Sequence, residues 1–226
     1  SPGSTANGTT SQKTAISMPS YSSSPPYSLT TVTPAGRGST VYKHLGNLLM
    51  SVIDPLNRIT SYTYDGQGRK ATETDGRGNT RRFEYDAVGN LVREVAPSPA
   101  GFTVERAFNS TNDLLTEKDG RGNTTSYAYS TSSDATADYQ VGQLKTVTDR
   151  ENGVTTFKYW TTTSSPSPPA THVGLLKSTT DQRSKTTSFA YDSAGNLSQI
   201  MSPLGLKTTM TYDGSGRLTS RRDPRG

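Results

Sequence analysis

The residue types that most often perform catalysis or bind metals are scarce in this sequence. It contains two histidines, His44 and His172, and no cysteine. Neither histidine belongs to a His-x-x-x-His or His-Glu-x-x-His pattern, and no Gly-Lys-Ser/Thr phosphate-binding motif occurs. Without cysteine there is no thiolate ligand or thiol nucleophile. We therefore predict no catalytic residue, no metal site, no cofactor and no enzyme activity.

The aspartates recur at regular intervals, which favours a structural role over a catalytic one. A pair of carboxylates for glycoside hydrolysis would need an acid and a base at one set separation. A calcium loop would need further oxygen ligands and a closing Glu, which the Asp-Gly-x-Gly segments of this chain lack. Aspartate can instead accept hydrogen bonds from its own downstream backbone, and Gly tolerates a positive φ. The pattern therefore predicts tight turns.

Two groups of side chains are candidates for contact with sugars. Tyr159 and Trp160 adjoin a long insert and are a candidate stacking surface, with simple aromatic packing as the alternative. Serine and threonine clusters near prolines are candidate O-glycosylation sites, namely Ser22, Ser23, Ser24, Thr161, Thr162 and Thr163. Four Asn-x-Ser/Thr sequons begin at Asn7, Asn109, Asn123 and Asn196.

Composition and charge argue against a thick core, a nucleic-acid site and a membrane helix. Only 29% of the 226 residues are hydrophobic, whereas Tyr is abundant at 12 residues. The net charge is +5, but Lys and Arg alternate with Asp and Glu, and the only Arg-Arg doublets are Arg81-Arg82 and Arg221-Arg222. A solvated surface is therefore favoured over a nucleic-acid interface. No run of 18 apolar residues occurs, so no membrane span is expected.

An internal repeat organises most of the chain. Its clearest copies share a Tyr-Asp-x-x-Gly segment, formed by Tyr64, Asp65 and Gly68, by Tyr85, Asp86 and Gly89, by Tyr191, Asp192 and Gly195, and by Tyr212, Asp213 and Gly216. Weaker copies give eight aromatic positions in all, at 42, 64, 85, 108, 129, 159, 191 and 212. Two copies are lengthened within the turn by the inserts Thr131–Val141 and Thr161–Val173.

Each copy carries two strand signals and two turn signals. Aromatic residues at i and i+2 before the Tyr-Asp turn, such as Phe83 and Tyr85, share one face of a strand. A second strand follows the turn glycine, and an Asp-rich turn links one copy to the next. We therefore predict about sixteen antiparallel strands and no helix, with the aromatic rings of neighbouring copies stacked as ladders.

The unit D-x-x-G-x-x-T-x-Y-x-Y-D-x-x-G-x-L resembles the YD repeat, also called the RHS repeat, over about residues 30–226. Bacterial polymorphic-toxin shells, shell components of insecticidal toxins, wall-associated proteins and teneurins belong to that family. The resemblance implies an all-β fold of tandem antiparallel hairpins, stacked into a spiralling sheet, a solenoid or a barrel-like shell. It also implies that such a sheet often encloses a cargo.

The predicted organisation is a Ser/Thr/Pro-rich segment at residues 1–29, followed by a repeat domain at residues 30–226. Open strand edges invite pairing with another chain. We hypothesise that Thr14–Thr33 is donated as a strand to the C-terminal edge of a second copy, which repeated head-to-tail would give a glycosylated extracellular fibre. The alternatives are a segment of a toxin-enclosing RHS shell, which would contact other shell segments, and a carbohydrate-binding adhesin.

Overall fold

The computed structural model describes the main chain of residues 15–16 and 20–22, and residues 26–99, 101–134, 136 and 138–225 in full. These residues belong to two compact units, residues 1–104 and residues 105–226, which are described separately. Among them no helix is long and apolar enough to cross a membrane.

Unit 1 is an antiparallel sheet in which sequential strands pair as neighbours. Its strands are β1 (Ala15–Ile16), β2 (Ser20–Ser22), β3 (Tyr27–Thr33), β4 (Thr40–Leu45), β5 (Leu48–Ile53), β6 (Ile59–Tyr64), β7 (Lys70–Thr74), β8 (Thr80–Tyr85) and β9 (Leu91–Val95). Both β1 and β2 pair with β3, and from β3 onward each strand pairs with the next.

Unit 2 repeats the same arrangement. Its strands are β10 (Thr103–Phe108, which begins in unit 1), β11 (Leu114–Lys118), β12 (Thr124–Tyr129), β13 (Leu144–Thr148), β14 (Val154–Tyr159), β15 (Leu176–Thr180), β16 (Thr186–Tyr191), β17 (Leu197–Met201), β18 (Lys207–Tyr212) and β19 (Leu218–Arg222). Within each unit the first and last strands of the sheet are not paired with each other.

The predicted all-β fold is confirmed. Strands β4 to β19 form eight hairpins, which matches the sixteen strands expected from eight copies of the repeat. The described residues contain no α-helix. Two single turns of 3₁₀ helix, Ser132–Asp134 and Ala170–His172, lie within the two inserts.

A β-bulge lies beside the turn in all eight hairpins. The register shifts between Thr63 and Tyr64, between Glu84 and Tyr85, and at the equivalent place in the other six. A bulge places one extra residue in one strand and increases the local twist and bend. Each copy of the repeat therefore adds the same local bend beside its turn.

The bulge corrects the alignment of the first copy. In that hairpin the shift lies between Lys43 and His44, and Tyr42 pairs with Val52. His44 therefore occupies the place of the turn tyrosine, and Tyr42 corresponds to the aromatic residue two positions earlier. The assignment of Tyr42 to the turn position was wrong by two residues, because the shorter Gly46-Asn47 turn follows it without an Asp.

The described part of the N-terminal segment pairs within its own chain. β3 makes a six-residue ladder with β4, from Tyr27 opposite Leu45 to Val32 opposite Thr40. In this structure residues 27–33 therefore pair within unit 1. Residues 1–14, 17–19 and 23–25 of the segment lie outside the described residues.

Burial is shallow throughout. Ala96, at 6% exposed, is the only buried hydrophobic residue among those described, and most strand residues are half-buried. This matches the low hydrophobic content. Most apolar strand side chains are thus shielded by sheet neighbours without being fully enclosed.

Candidate functional site

The aspartate of each Tyr-Asp turn organises the turn through its carboxylate. Asp65 Oδ1 accepts hydrogen bonds from the backbone N–H groups of Gln67 and Arg69, both at 2.9 Å. Its Oδ2 accepts a bond from Arg69 Nε at 2.7 Å. The turn closes with the N–H of Gly68 donating to the Asp65 carbonyl at 3.0 Å, and Gly68 has φ +77°. The predicted Asx-type turn is present, with a further side-chain bond to the residue four positions on.

The turns between copies have the same geometry as the Tyr-Asp turns. In both kinds the side-chain oxygen of the first residue accepts bonds from the N–H groups two and four positions on, and the residue three positions on has a positive φ. The full pattern begins at Asp54, Asp65, Asp75, Asp86, Asn109, Asp119, Asp149, Asp181, Asp192 and Asp213. At these ten positions the Tyr-Asp turns and the linking turns therefore share one geometry.

The turn bonds lower the pKa of the carboxyl groups. The backbone N–H of Arg69 and then its side chain hold the pKa of Asp65 below the ordinary value. The side-chain amide of Asn196, followed by its backbone N–H, does the same for the pKa of Asp192. In each case the hydrogen bonds favour the ionised carboxylate over the neutral acid.

The hydroxyl group of the turn tyrosine ties neighbouring hairpins together. In six copies it donates to the backbone carbonyl 15 residues earlier, at 2.8–3.1 Å. Tyr191, for example, bonds to Leu176 at 2.8 Å. The β15–β16 ladder ends at the pair Ser178 and Ser188, so the tyrosine satisfies a carbonyl two residues beyond the last strand pair.

The constant interval of 15 residues defines the rigid part of the repeat. It contains the second strand of one copy, the linking turn and the first strand of the next copy. Both inserts lie outside it, in the Tyr-Asp turns. The sequence search centred on the Tyr-Asp turn and missed this interval, although the recurring spacing of Leu and Tyr carries the signal.

The two faces of each sheet differ in chemistry. Directly paired residues share a face. One face, here called the aromatic face, carries Tyr62 and Phe83 in unit 1 and Tyr127, Val147, Phe157, Phe189, Ile200 and Met210 in unit 2. The other, the hydroxyl face, carries Ser51, Ser61, Thr72, Thr74 and Thr80 in unit 1 and Thr116, Ser126, Thr146, Thr148, Thr156, Ser178, Thr180, Ser188 and Thr209 in unit 2.

The predicted ladders of stacked rings are wrong. The aromatic residue two positions before each turn tyrosine is paired with a residue that is not aromatic. Glu73 lies opposite Tyr62, and Ile200 lies opposite Phe189. In unit 1 a cation lies over the rings instead, with Lys70 Nζ 4.5 Å from the centre of Phe83 and 5.8 Å from that of Tyr62. Cation–π and aliphatic contacts therefore take the place of ring stacking.

The two inserts fold against each other and against the sheet. Asp138 of the first insert forms ion pairs with Lys158 at 2.9 Å and with Lys177 at 3.2 Å. The Thr136 carbonyl accepts hydrogen bonds from the hydroxyls of Thr161 and Thr163 of the second insert. The inserts therefore form one ordered cluster, here called the insert cluster (residues 131–134, 136, 138–141 and 161–173).

The structure separates the two residues proposed for sugar stacking. Tyr159 is a turn tyrosine, whose hydroxyl donates to the Leu144 carbonyl at 3.0 Å. Trp160 instead lines a groove of about 230 Å³, here called the Trp160 groove, with Pro166, Ser167, Pro168, Pro169, His172, Ala190 and Tyr191. Residues of the second insert therefore form much of its wall, which sequence reasoning did not foresee.

The candidate glycosylation residues have different surroundings. Thr161 is buried, at 3% exposed, and its hydroxyl is hydrogen-bonded, whereas Thr162 and Thr163 are exposed. Ser23 and Ser24 lie outside the described residues, as does the side chain of Ser22. The side-chain amides of Asn109, Asn123 and Asn196 are each bonded to a turn carboxylate. Thr162 thus presents the accessible hydroxyl of this set, because the Thr163 hydroxyl donates to the Thr136 carbonyl although the residue is exposed.

The two histidines lie in different units. His44 lies in β4, and His172 bonds through Nε2 to the Asp192 carbonyl at 2.7 Å. Among residues that the structure describes, no group of three or more His, Asp or Glu side chains is placed to hold a metal ion.

Comparison with protein families identifies the repeat. The family model described as RHS Repeat matches residues 42–80, 172–201 and 191–226. These ranges include three of the four clearest Tyr-Asp turns, and the turn at Tyr85 lies outside them. No curated protein matches the chain.

Solved structures of much longer chains match most of this chain. A crystal structure of TcdB2-TccC3 without its hypervariable C-terminal region has a TM-score of 0.52 and 14% identity, covering 85% of this chain and 12% of that one. A Photorhabdus luminescens Tc holotoxin pore has a TM-score of 0.38 and 13% identity, covering 87% of this chain and 14% of that one. This chain therefore spans about an eighth of the TcdB2-TccC3 chain. The family model thus identifies RHS repeats, also called YD repeats, at residues 42–80 and 172–226, and the same hairpin geometry recurs in the strands between them.

Proposed function

We propose that this chain is a non-catalytic wall segment of an extracellular RHS-type shell, with its aromatic face toward the enclosed space. The observation that carries the proposal is the incomplete burial of that face. Its residues Tyr127, Phe157, Phe189 and Met210 are half-buried, and Ala96 alone is fully buried among the described hydrophobic residues. Apolar side chains that stay partly in contact with water are stabilised when another molecule covers them, which favours a face turned toward a cargo.

The shape of the repeat supports a wall. Every hairpin has a bulge at the same place, so each copy adds a local bend in the same sense. The similar fold of TcdB2-TccC3, a component of a toxin assembly, also favours a shell over a fibre. The proposal includes secretion or display on the cell surface, where a shell of this kind would act.

Electron microscopy of the native protein, purified from the cells that make it, tests the assembly. We expect hollow particles with walls one sheet thick. Filaments that lengthen with concentration would favour the fibre hypothesis instead, and solid particles without an interior space would contradict the shell.

Two methionines on adjacent strands test which face is enclosed. Met210 lies on the aromatic face of β18, whereas Met201 pairs with Ser188 on the hydroxyl face of β17. Both are half-buried in the isolated chain. Hydrogen peroxide should oxidise Met201 of the native particle faster than Met210, and urea dissociation should remove the difference. Faster oxidation of Met210 in the intact particle would contradict the orientation.

A further inference from the structure

Three successive linking turns of unit 2 lie side by side along one edge of its sheet. They follow β15, β17 and β19, at residues 181–185, 202–206 and 223–225. Strands β15 to β19 pair in sequence order, so neighbouring turns are two strand spacings apart, roughly 10 Å. This edge is here called the Leu204 rim (residues 181–185, 202–207 and 222–225).

The middle turn of the Leu204 rim exposes two large apolar side chains. Leu204 is 83% exposed and Leu206 is 52% exposed. The turn begins with Ser202 in place of an aspartate, and the Ser202 hydroxyl accepts the N–H of Leu206 at 3.2 Å. Because this oxygen is uncharged, the two leucines can be covered without burying a carboxylate of their own turn.

The two outer turns and the adjoining strand ends supply positive charge. The carboxylates of Asp181 and Asp223 accept N–H groups of their own turns. Five cations against these two carboxylates give the rim a net charge of +3. In the part of the chain that the structure describes, no ion pair is found for these cations, which are Arg183, Lys185, Lys207, Arg222 and Arg225.

Apolar and cationic groups meet in an open groove between the second and third turns. Its volume is about 580 Å³, and its lining includes Leu206, Lys207, Thr209, Arg222 and Arg225. Lys207 and Thr209 share a face of β18, and Thr209 pairs with Arg222. Cations of this kind form strong, charge-assisted hydrogen bonds with phosphate. The groove therefore suits a phosphate-bearing group that approaches with apolar material beside it.

The opposite edge of the same strands lacks this combination. Leu218 is 55% exposed there, much like Leu206. Its sequence neighbour Arg217 already pairs with Asp213 at 2.8 Å, within one Tyr-Asp turn. The turn at Asp192, between β16 and β17, contains no Lys or Arg. Within β15 to β19, exposed leucines therefore lie beside unpaired cations on the Leu204 rim and not on the opposite edge.

We propose that the Leu204 rim docks on the surface of a lipid bilayer that contains anionic phospholipids. Leu204 and Leu206 insert at the boundary between headgroups and acyl chains, and the cations bind the lipid phosphates. Peripheral binding of this kind depends on buried apolar area together with attraction to anionic lipids. A soluble polyanion would bind the cations but leave the leucines in water. The proposal is independent of shell assembly, since it concerns three turns of the isolated chain.

Co-sedimentation with vesicles tests the apolar and the charged component separately. The full chain should bind vesicles of equal parts phosphatidylglycerol and phosphatidylcholine, and should bind phosphatidylcholine vesicles at least about tenfold more weakly. The double variant Leu204→Ser/Leu206→Ser should weaken binding to the anionic vesicles about tenfold. Arg222→Gln/Arg225→Gln should do the same. Leu218→Ser is the matched control on the opposite edge and should bind as the parent does.

Three outcomes of the sedimentation experiment would overturn the proposal. One is the absence of binding to the anionic vesicles. Another is unaltered binding by the leucine variant together with loss in the arginine variant, which is the behaviour of a site for soluble polyanions. The third is an equal loss in Leu218→Ser, which would remove the assignment to this rim.

Fluorescence measures insertion directly, because Trp160 is the only tryptophan of the chain. In a Trp160→Phe background, the emission of Leu204→Trp should shift to the blue on anionic vesicles and should be quenched by brominated acyl chains. Leu218→Trp in the same background should show neither effect. The high exposure of Leu204 means that its replacement leaves the sheet intact, which circular dichroism checks. A Leu204→Trp emission that stays unshifted and unquenched on sedimented vesicles would contradict insertion.

Discussion

At the scale of single residues, two hydrogen-bonding devices are repeated along the chain. The turn aspartate fixes the direction of the chain locally, through bonds to the residues two and four positions on. The turn tyrosine acts over a longer distance, by reaching the carbonyl at the start of the preceding strand. Phe108 shows that the two devices are separable. It lacks the hydroxyl, and the segment from Leu91 to Phe108 is longer than the 15-residue interval, yet the turn that begins at Asn109 keeps both backbone bonds.

Removing one tyrosine hydroxyl should weaken the junction between two hairpins. Tyr191→Phe leaves the Leu176 carbonyl without its donor, and we expect the free energy of unfolding to fall by about 0.5–1.5 kcal/mol in urea denaturation. Tyr127→Phe is the matched control, because no hydrogen bond of the Tyr127 hydroxyl to a described residue is found. Equal losses in the two variants would contradict the role of the hydroxyl.

The first and fifth residues of a turn, whose side chains are hydrogen-bonded to each other, should tolerate an exchange of Asp and Asn. Asp192 bonds to Asn196, whereas the turn at Asn109 and Asp113 has the same bond with the two residue types reversed. Asp192→Asn alone should lower the urea midpoint, and Asn196→Asp alone should lower it further by placing two carboxylates together. The double variant should recover most of the midpoint. Additive losses would show that the pair does not act as a unit.

The turn carboxylates also predict acid sensitivity. Hydrogen bonds hold the pKa values of Asp65, Asp75, Asp192 and Asp213 below the ordinary value in the folded chain, whereas unfolding restores it. Their stabilising contribution is therefore complete above the unfolded pKa of about 3.9 and is lost as the pH falls through the lower folded values. The urea midpoint should stay level from pH 7 to about 5 and fall steeply below about 4. A midpoint that rises on acidification would contradict this.

At the scale of elements, the strand–turn–strand segment is constant and the Tyr-Asp turn varies. The regular turns close over four residues, while two others expand into the insert cluster. Ion pairs hold the cluster to the sheet: Asp138 of the first insert pairs with Lys158 on β14 and with Lys177 on β15. Partial burial raises the pKa of Asp138 and opposes ionisation, but the bonds from Lys158 and Lys177 dominate, and its pKa lies below the ordinary value.

Removing the charge of Asp138 should release the first insert. Asp138→Asn should speed hydrogen exchange of the Tyr159 N–H, which donates to the Asp138 carbonyl, and should increase cleavage of residues 131–141 by proteases. Glu151→Gln removes an exposed ion pair with Arg150 at 3.5 Å and should have no such effect. Unchanged protection in Asp138→Asn would show that hydrogen bonds alone hold the insert.

At the scale of the whole molecule, the number of hairpins and the class of fold could be predicted from the sequence, because Tyr, Asp and Gly recur at the turns. The bulge, the hydroxyl bond of Tyr191 and the Trp160 groove could not. The first two depend on strand register and the reach of a side chain, and the groove depends on how Pro166 to His172 fold back over β16. The order of residues indicated that Trp160 adjoins an insert, but not which residues the insert would place against its ring.

Stability in such a stack is expected to be local, since each hairpin contacts its sequence neighbours. Gly195 has φ +90°, and a Cβ there would lie 3.1 Å from the Thr171 carbonyl, so Gly195→Ala should destabilise its surroundings by about 1–2 kcal/mol. Exchange should accelerate in β16 and β17 and remain unchanged in β4 to β8. Gly216→Ala has similar strain but more room, with 3.6 Å to Asn196, and should cost less. Uniform acceleration through both units would contradict local stability.

The 15-residue interval has a consequence for engineering. The 15-residue interval is unchanged whether the neighbouring Tyr-Asp turn spans four residues from Tyr to Gly or 13. The Tyr-Asp turn is therefore a suitable place to insert a foreign loop. Foreign loops placed after Tyr64 or Tyr212 should leave the register of the flanking strands intact. Within each unit, the repeat would then display one unrelated peptide from each hairpin turn.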